Sequence, residues 1–186
     1  GYAEWNGGCM AIAHVSGLAA LILSKTSSLS VDELKQVIRN TARQPVGDGQ
    51  GHNPFVGHGT IDAAEALSVD RFECDLRLAS VEVNELDRGL GTATVTVANR
   101  GVLDARDVPV MVFDAMPDAG DGVQLAHTVI PEIIGFEEQT VEIPFWIPDG
   151  KDSIVVACDY RGHASARQLA RGDSCATKEA RLKLAV

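Results

Sequence analysis

The sequence predicts a mixed fold, in which a helical first part is followed by an all-β second part. The first observation is a run starting at Cys9, CMAIAHVSGLAALILSK, that is apolar on nearly every side. The second is the amphipathic segment SVDELKQVIRNTA, which begins at Ser30. The third is that helical periodicity stops near Val69, where alternating and β-branched runs take over. We therefore divide the chain into two domains, residues 1–70 and residues 71–186.

Two longer helices are predicted in the first domain. The apolar run should form one helix from Gly8 to about Lys25, and a helix that is apolar all round is normally buried. Ser30 and Glu33 have the spacing of a capping box, in which each side chain accepts a hydrogen bond from the other's backbone N–H. The second helix should therefore run from Ser30 to Thr41, with one apolar stripe and one solvent-facing side.

The first 70 residues contain too little structure to enclose their own apolar helix. After the second helix come a Gly-rich loop, PVGDGQGHNPFVGHG, and a short third helix within TIDAAEAL, capped by Thr60 or Asp62. These few elements cannot cover every face of the first helix. We expect the missing cover to come from an N-terminal part of the protein outside this sequence, from a second chain, or from the β domain.

The second domain shows the pattern of an antiparallel sandwich. Short runs rich in Val, Ile and Thr alternate with turns containing Gly, Pro, Asp and Asn, and no helical pattern interrupts them. Such a pattern favours two packed antiparallel sheets. The predicted strands lie in DLRLASVEV, GTATVTVAN, VPVMVFDA, TVEIPFWIP, DSIVVACDY and the closing EARLKLAV.

Charge and composition exclude several classes of partner. The formal net charge is −10, which argues against nucleic acid and anionic membranes, because binding phosphates requires clustered Lys and Arg. We find no apolar run near the ~20 residues of a membrane span, and no signal peptide opens the sequence. The acidic surface is interpreted as a solvated one.

Cysteine spacing and acidic residues do not indicate a metal site. None of the four cysteines forms a CxxC pair, so structural zinc is not expected. Cys158 and Cys175 flank a polar loop and could form a disulfide in a secreted protein, while Cys9 is the candidate free thiol. The acidic segment DAMPDAGDG, from Asp114 to Gly122, is interpreted as a solvated turn rather than a calcium loop. No cofactor is evident from the residues.

The segment GGCMAIAHVSG resembles the nucleophile motif of subtilisin-like peptidases, G-T-S-M-A-x-P-H-V-x-G. The residues in register are Gly7, Met10, Ala11, His14, Val15 and Gly17, and GHGTIDAAEAL also resembles the end of the family's catalytic domain. The resemblance implies that residues 1–70 are the C-terminal helical portion of an α/β subtilase domain. It places Cys9 at the position of the nucleophilic serine, with its backbone N–H as one oxyanion donor. A polypeptide substrate, a secreted or extracellular location and calcium binding are implied in the same way.

Three departures from the family motif bear on activity. Gly8 replaces the family's Thr, Cys9 its Ser and Ala13 its Pro. The changes at positions 9 and 13 resemble those that turn subtilisins into peptide ligases, in which a thioester acyl-enzyme is captured by amines. A degenerate relative that is no longer a good protease is equally consistent.

The family's catalytic Asp and His precede the nucleophile, and none of the eight residues before Cys9 is either. His14 lies about 140° around the helix axis from Cys9 and is expected to be structural. His52 and His58 are expected to be loop histidines, and His127 and His163 to be exposed in the β domain. The activating groups must therefore come from outside this sequence.

The second domain resembles the CARDB-type immunoglobulin-like sandwiches appended to secreted enzymes. The resemblance rests on V-x-N-x-G from Val97 to Gly101 and on the aromatic-proline strand FWIP. It implies adhesion, stabilisation or substrate tethering rather than chemistry. Trp146 is interpreted as a core aromatic rather than a ligand platform.

Two functional hypotheses follow. In the first, the chain is part of a subtilisin-like endopeptidase with Cys9 at the nucleophile position, incomplete without an upstream Asp and His. In the second, it is a catalytically degenerate subtilase that acts as a binding, scaffold or adhesion module.

Overall fold

The computed structural model describes residues 4, 7–43, 54–87, 89–117, 122–159 and 176–181, without the side chains at 85, 87 and 176–181. The chain divides into two compact units, residues 1–72 and residues 73–186. This division lies two residues beyond the one taken from the sequence.

The first unit contains three helices: α1 (Gly8–Lys25), α2 (Val31–Asn40) and α3 (Ala63–Ser68). The capping box at α2 is confirmed. The Ser30 hydroxyl accepts a hydrogen bond from the Glu33 N–H at 3.2 Å, and the Glu33 carboxylate accepts one from the Ser30 N–H at 2.7 Å. Of the two candidate caps of α3, Asp62 takes the role and accepts from the Glu65 N–H at 3.0 Å. Local capping chemistry thus sets where both helices begin.

The first unit is held together by one side of α1 and by a lysine at its end. Leu18 and Ile22 are the buried residues of α1, which contacts both α2 and α3. Lys25 Nζ donates to the carbonyls of Leu67 and Val69, at 2.9 and 2.7 Å. Because the last carbonyls of a helix have no partner within it, this ammonium group stabilises the end of α3.

The second unit consists of seven strands: β1 (Leu76–Asp87), β2 (Leu90–Asn99), β3 (Ala105–Phe113), β4 (Gln124–Ile133), β5 (Glu138–Trp146), β6 (Ser153–Cys158) and β7 (Ala176–Arg181). They form a three-stranded sheet in the order β1-β2-β5 and a four-stranded sheet in the order β4-β3-β6-β7, and every pairing is antiparallel. The predicted all-β sandwich is confirmed, and the described residues between β1 and β6 contain no α-helix.

The strand β4 was missed by the sequence analysis. Its ten residues show no regular alternation of buried and exposed positions, and Pro131 lies near its end. The last strand, β7 (Ala176–Arg181), overlaps the predicted segment 179–186 at residues 179–181 and begins three residues earlier. Residues 182–186 lie outside the described part of the chain.

The sandwich core is built from the inward-facing positions of both sheets. In β2, buried and partly exposed residues alternate along most of the strand, as expected where one sheet face is covered. Strand β4 lies beside β5, and β1 lies beside β7, so the two sheets meet along both sides. The largest fully buried side chains of this core are Ile133, Ile143, Ile154, Val83, Val95, Val97, Val108 and Val110.

The V-x-N-x-G motif has a structural role in this core. Asn99 is fully buried, and its amide donates to the carbonyls of Leu103 and Ile133 at 2.8 and 3.2 Å. Its side-chain oxygen accepts from the N–H groups of Asp75 and Gly101 at 3.1 and 3.0 Å. All four partners of the Asn99 side chain are backbone groups. Asn99 therefore connects the turn after β2 to the residue just before β1 and to the end of β4.

Gly101 is required there by close packing. A Cβ atom at this position would lie 2.6 Å from the Cys74 Cα and 2.7 Å from the Asp75 nitrogen, which are backbone atoms that cannot swing aside. The motif is thus explained by packing and hydrogen bonding.

Trp146 corrects one prediction. Its side chain is 68% exposed, so the interpretation as a core aromatic is wrong. Ile143 and Phe145 of the same strand are 2% and 3% exposed and point into the core. Because successive side chains of a strand point to opposite faces, Trp146 points away from it.

Candidate active-site helix

The nucleophile candidate Cys9 lies in the first turn of α1. The helix begins at Gly8, and the residue before it, Gly7, has φ of 137°. Residues with a Cβ rarely adopt this conformation, so a glycine is needed to turn the chain into the helix. The glycine pair before Cys9 therefore serves to bring the thiol to a helix start.

The start of α1 offers the backbone N–H of Cys9 as a hydrogen-bond donor that nothing in the described residues uses. The N–H groups of Met10 and Ala11 donate to the Gly7 carbonyl at 3.1 and 3.3 Å. No side chain caps this end. Among the described residues, the Cys9 N–H has no hydrogen-bond acceptor, as expected for the second residue of a helix. If the Cys9 sulfur attacked a carbonyl carbon, the oxyanion formed on the carbonyl oxygen would lie near this N–H and the positive end of the helix dipole.

Cys9 lies on the side of α1 that faces away from the rest of its unit. Leu18 follows Cys9 by nine residues, which places the two about 180° apart around the axis. The exposed residues nearest to the Cys9 direction are small, namely Ala13, Ser16 and Ala20. The described residues of this unit therefore leave the thiol and the helix surface beside it open, and Cys9 is exposed.

Other sides of α1 also remain uncovered. Large apolar side chains project into solvent, with Ile12 66% and Leu21 51% exposed. The expected need for additional cover is thus visible in the structure.

By length and composition, α1 also meets the minimum for a membrane span, although the sequence analysis found no run near that length. The core helix of a larger globular domain meets the same minimum, so this property alone is weak evidence for insertion.

The nearest histidine is held by the helix itself. His14 Nδ1 lies 2.8 Å from the Met10 carbonyl oxygen, and because a carbonyl can only accept, this ring nitrogen carries the proton and donates. The bond ties the ring to the preceding turn of α1, consistent with the predicted structural role. His14 is therefore not placed to act as the base for Cys9.

The remaining histidines do not complete a site in the described residues. His58 is partly buried in a turn before α3, and His127 is exposed on β4 with its Nδ1 3.3 Å from the Gln124 amide. The exposure of His127 was predicted. His52 and His163 lie outside the described residues.

The other cysteines differ sharply from Cys9 in environment. Cys74 is fully buried in the sandwich core, and this burial, with a smaller contribution from the charge of Asp159, raises the pKa of its thiol to about 12. Cys158 is buried as well. Cys175 lies outside the described residues, so the Cys158–Cys175 disulfide stays a prediction.

The described residues contain no group of three or more His, Cys, Asp or Glu side chains that could hold a metal ion. Part of the acidic segment from Asp114 to Gly122 lies outside them. Calcium binding, implied by resemblance, therefore has no support from the described residues.

Comparison with known families assigns the first unit. The model of the subtilase family of peptidases matches residues 1–72. Residues 1–72 belong to the subtilase family. This subtilase segment coincides with the first compact unit, so α1, α2 and α3 all lie within it.

Curated relatives give the same assignment. Bacillopeptidase F of Bacillus subtilis is 31% identical over 131 residues, which cover 69% of this chain and 8% of the relative. This aligned stretch is longer than the subtilase segment and therefore continues into the second unit. Mycosin-4 of Mycobacterium tuberculosis is 45% identical over 56 residues, covering 30% of this chain and 12% of that protein. The chain thus spans about a tenth of the length of these relatives.

Two solved structures are similar to part of this chain. A CARDB domain from Pyrococcus furiosus is 17% identical with a TM-score of 0.40, and the match covers 60% of this chain and 90% of that domain. A domain of a Methanosarcina acetivorans protein is 13% identical with a TM-score of 0.46, covering 59% and 92%. The fold of the second unit is assigned from its own strand order and pairing.

Proposed function

We propose that this chain is part of a subtilisin-like endopeptidase in which Cys9 is the nucleophile. The observation that carries the proposal is the position of Cys9 in the first turn of α1, with its backbone N–H unpaired among the described residues. The segment GGCMAIAHVSG supports it, because it resembles the nucleophile motif with Cys9 at the serine position. The substrate class is a polypeptide.

The proposed reaction is acyl transfer through a thioester. The Cys9 sulfur attacks the scissile carbonyl carbon, and the thiol proton passes to a base and then to the leaving amine. The Cys9 N–H donates to the carbonyl oxygen as it gains negative charge. Water or a second amine then attacks the thioester and restores the thiol, giving hydrolysis or ligation respectively.

The base and its orienting carboxylate are proposed to come from a subtilase segment outside this sequence. Two observations support this. The histidine on α1 is engaged by the Met10 carbonyl, and the Cys9 side of the helix is open and lined by small residues, which allow another backbone to approach closely. The complementing partner is therefore the N-terminal part of the catalytic domain, either in the same polypeptide or as a second chain.

Ala13 supports the acyl-transfer form of the activity. In the uninterrupted helix α1 it lies one turn after Cys9 and keeps a backbone N–H, which a proline at this position would lack. The proline ring that would clash with the Cys9 carbonyl is therefore absent from this turn. We propose that activated esters and thioesters are better acyl donors than amides.

The alternative proposal is a degenerate subtilase that serves as a scaffold or adhesion module. The observation that favours it is the set of departures from the family motif at Gly8, Cys9 and Ala13. An extracellular location accompanies either proposal, as the resemblance implies.

One experiment distinguishes the two proposals. It uses a protein that contains this chain together with the preceding segment of its reading frame. Cys9→Ser and Cys9→Ala variants are compared with the wild type on a chromogenic peptide amide and on the corresponding ester. The endopeptidase proposal expects ester turnover by the wild type, improved amide hydrolysis by the serine variant and neither activity in the alanine variant. Equal and negligible activity in all three proteins supports the scaffold.

A further inference from the structure

The three-stranded sheet presents an open outer face whose residues can be read from the strand register. Along β2, the outward positions are Leu90, Thr92, Thr94 and Thr96, each partly exposed. Antiparallel pairing places Trp146 opposite Leu90, Pro144 opposite Thr92 and Glu142 opposite Thr94. On the other side of β2, Asn84 lies opposite Thr92 and Glu82 opposite Thr94. We call this set the outer platform.

One end of the outer platform is apolar and carries an exposed indole. Trp146 is 68% exposed, and Leu86, which lies in the β1 irregularity next to the Asp87–Leu90 pair, is 58% exposed. The strand is fixed directly after Trp146, because the Ile147 N–H donates to the Gly89 carbonyl at 2.8 Å. A large apolar ring exposed on a fixed strand is a feature of binding surfaces rather than of an ordinary solvated sheet.

The rest of the outer platform is polar and rich in hydrogen-bonding groups. The three threonines of β2 supply hydroxyls that can donate and accept, and Asn84 adds an amide. Glu82 and Glu142 flank Thr94 and supply acceptors. The Thr96 and Thr140 hydroxyls lie 2.9 Å apart, so this cross-strand pair is already hydrogen-bonded to each other.

We propose that the outer platform binds a neutral polysaccharide, with one pyranose ring stacked on Trp146. The C–H face of a pyranose is apolar and matches the flat indole in size, while its rim of hydroxyls both donates and accepts. A chain that continues from Trp146 along β2 meets threonine hydroxyls, the Asn84 amide and two carboxylates. These groups satisfy sugar hydroxyls and require no charge on the ligand.

The surface chemistry favours a neutral glycan over an anion or a peptide. The rows from Glu82 to Trp146 carry carboxylates and no described Lys or Arg, so phosphates, sulfates and uronic acids would be repelled. Arg77 lies at the far end and is bonded to the Asp75 carboxylate. A peptide that adds as a strand needs free backbone groups, and β2 is paired on both sides. This site is independent of Cys9.

Depletion binding tests the proposal on the full chain. The wild type is mixed with microcrystalline cellulose, chitin, insoluble xylan or granular starch, and the unbound protein is measured. The variants are W146A, W146F and the control V129A, which shortens a 47% exposed side chain on β4 of the other sheet. Thermal unfolding midpoints within about 2 °C of the wild type show that each variant is folded.

The proposal expects retention on at least one polysaccharide, a loss of at least tenfold in affinity for W146A, a smaller loss for W146F and no change for V129A. Retention should be unaffected by 1 M NaCl, because no ion pair is involved. If the wild type binds none of the four polysaccharides, the proposal is overturned. Equal binding by W146A and the wild type overturns it as well. Trp146-dependent binding that is abolished by salt or competed by casein identifies a polypeptide ligand and overturns it as well.

Discussion

Selective alkylation of Cys9 is the first consequence of its position at the exposed start of α1. Cys74 provides the internal reference, because its side chain is fully buried and its pKa is about 12. At pH 8 a thiol with that pKa is ionised in about one molecule in ten thousand, whereas an ordinary exposed thiol with a pKa of about 8.5 is ionised in about a quarter. Since the thiolate is the reacting species, ionisation alone makes the buried thiol about 2,000-fold slower than such a thiol.

The assay is iodoacetamide labelling of the folded chain from pH 6 to pH 10, with the modified peptides quantified by mass spectrometry. We expect Cys9 to be labelled at least 1,000-fold faster than Cys74 at pH 8, because Cys9 is exposed whereas burial shields Cys74 and raises its pKa. The Cys74 rate should rise about tenfold per pH unit throughout this range, because the whole range lies below its pKa. Labelling in guanidinium chloride is the control, since unfolding should remove the difference. If Cys9 reacts no faster than Cys74 in the folded protein, the exposed helix start at Cys9 is wrong.

Three further predictions concern the scaffold. Ser30→Ala removes the acceptor of the Glu33 N–H at the α2 capping box and should cost about 1 kcal/mol in the free energy of urea unfolding, whereas Ser30→Asp should cost less. Gly101→Ala forces a Cβ against the Cys74 and Asp75 backbone and should cost about 3 kcal/mol, and a loss below 1 kcal/mol would contradict the close approach. The Glu65 N–H and then Arg43 lower the pKa of Asp62 below its usual value, so its charged form stabilises the fold above about pH 4. That stabilisation is lost as the pH falls through the lowered value. Asp62→Asn keeps the cap, and its stability deficit relative to the wild type should therefore shrink between pH 5 and pH 3 in urea titrations.

The elements that were predicted correctly are those with local signals. The capping box of Ser30 and Glu33 determines where α2 begins, and both residues lie within four positions of the chain. Gly7 allows the sharp turn of the backbone into α1. The strands with clean alternation, such as β2, were also identified. In contrast, β4 has an irregular burial pattern because it is an edge strand of its sheet, and its neighbours rather than its own sequence determine its pairing.

Trp146 shows a different kind of error. The alternation of Ile143 and Phe145 already assigns Trp146 to the opposite face of β5, whereas its aromatic character alone suggests burial. Parity along the strand was the better guide. The outer platform could not be assembled from the sequence, because it depends on the register of three strands separated by tens of residues.

The candidate active site was predictable only in part. The position of Cys9 follows from a short motif, and the helix that carries it follows from local composition. The groups that would activate the thiol are distant in sequence in subtilases, and no periodicity within this chain reports on them. In this chain, the feature that relates to these groups is the open Cys9 side of α1, where we propose that they pack.

Intact-protein mass spectrometry of the acyl-enzyme tests the role of Cys9 most directly. The chain, together with the preceding segment of its reading frame, is incubated with an activated peptide thioester, quenched in acid and mapped by proteolysis. We predict a mass increase equal to the acyl group, located on Cys9, absent from Cys9→Ala and discharged by added amine. A complemented protein that forms no adduct, or an adduct that persists in Cys9→Ala, would contradict it.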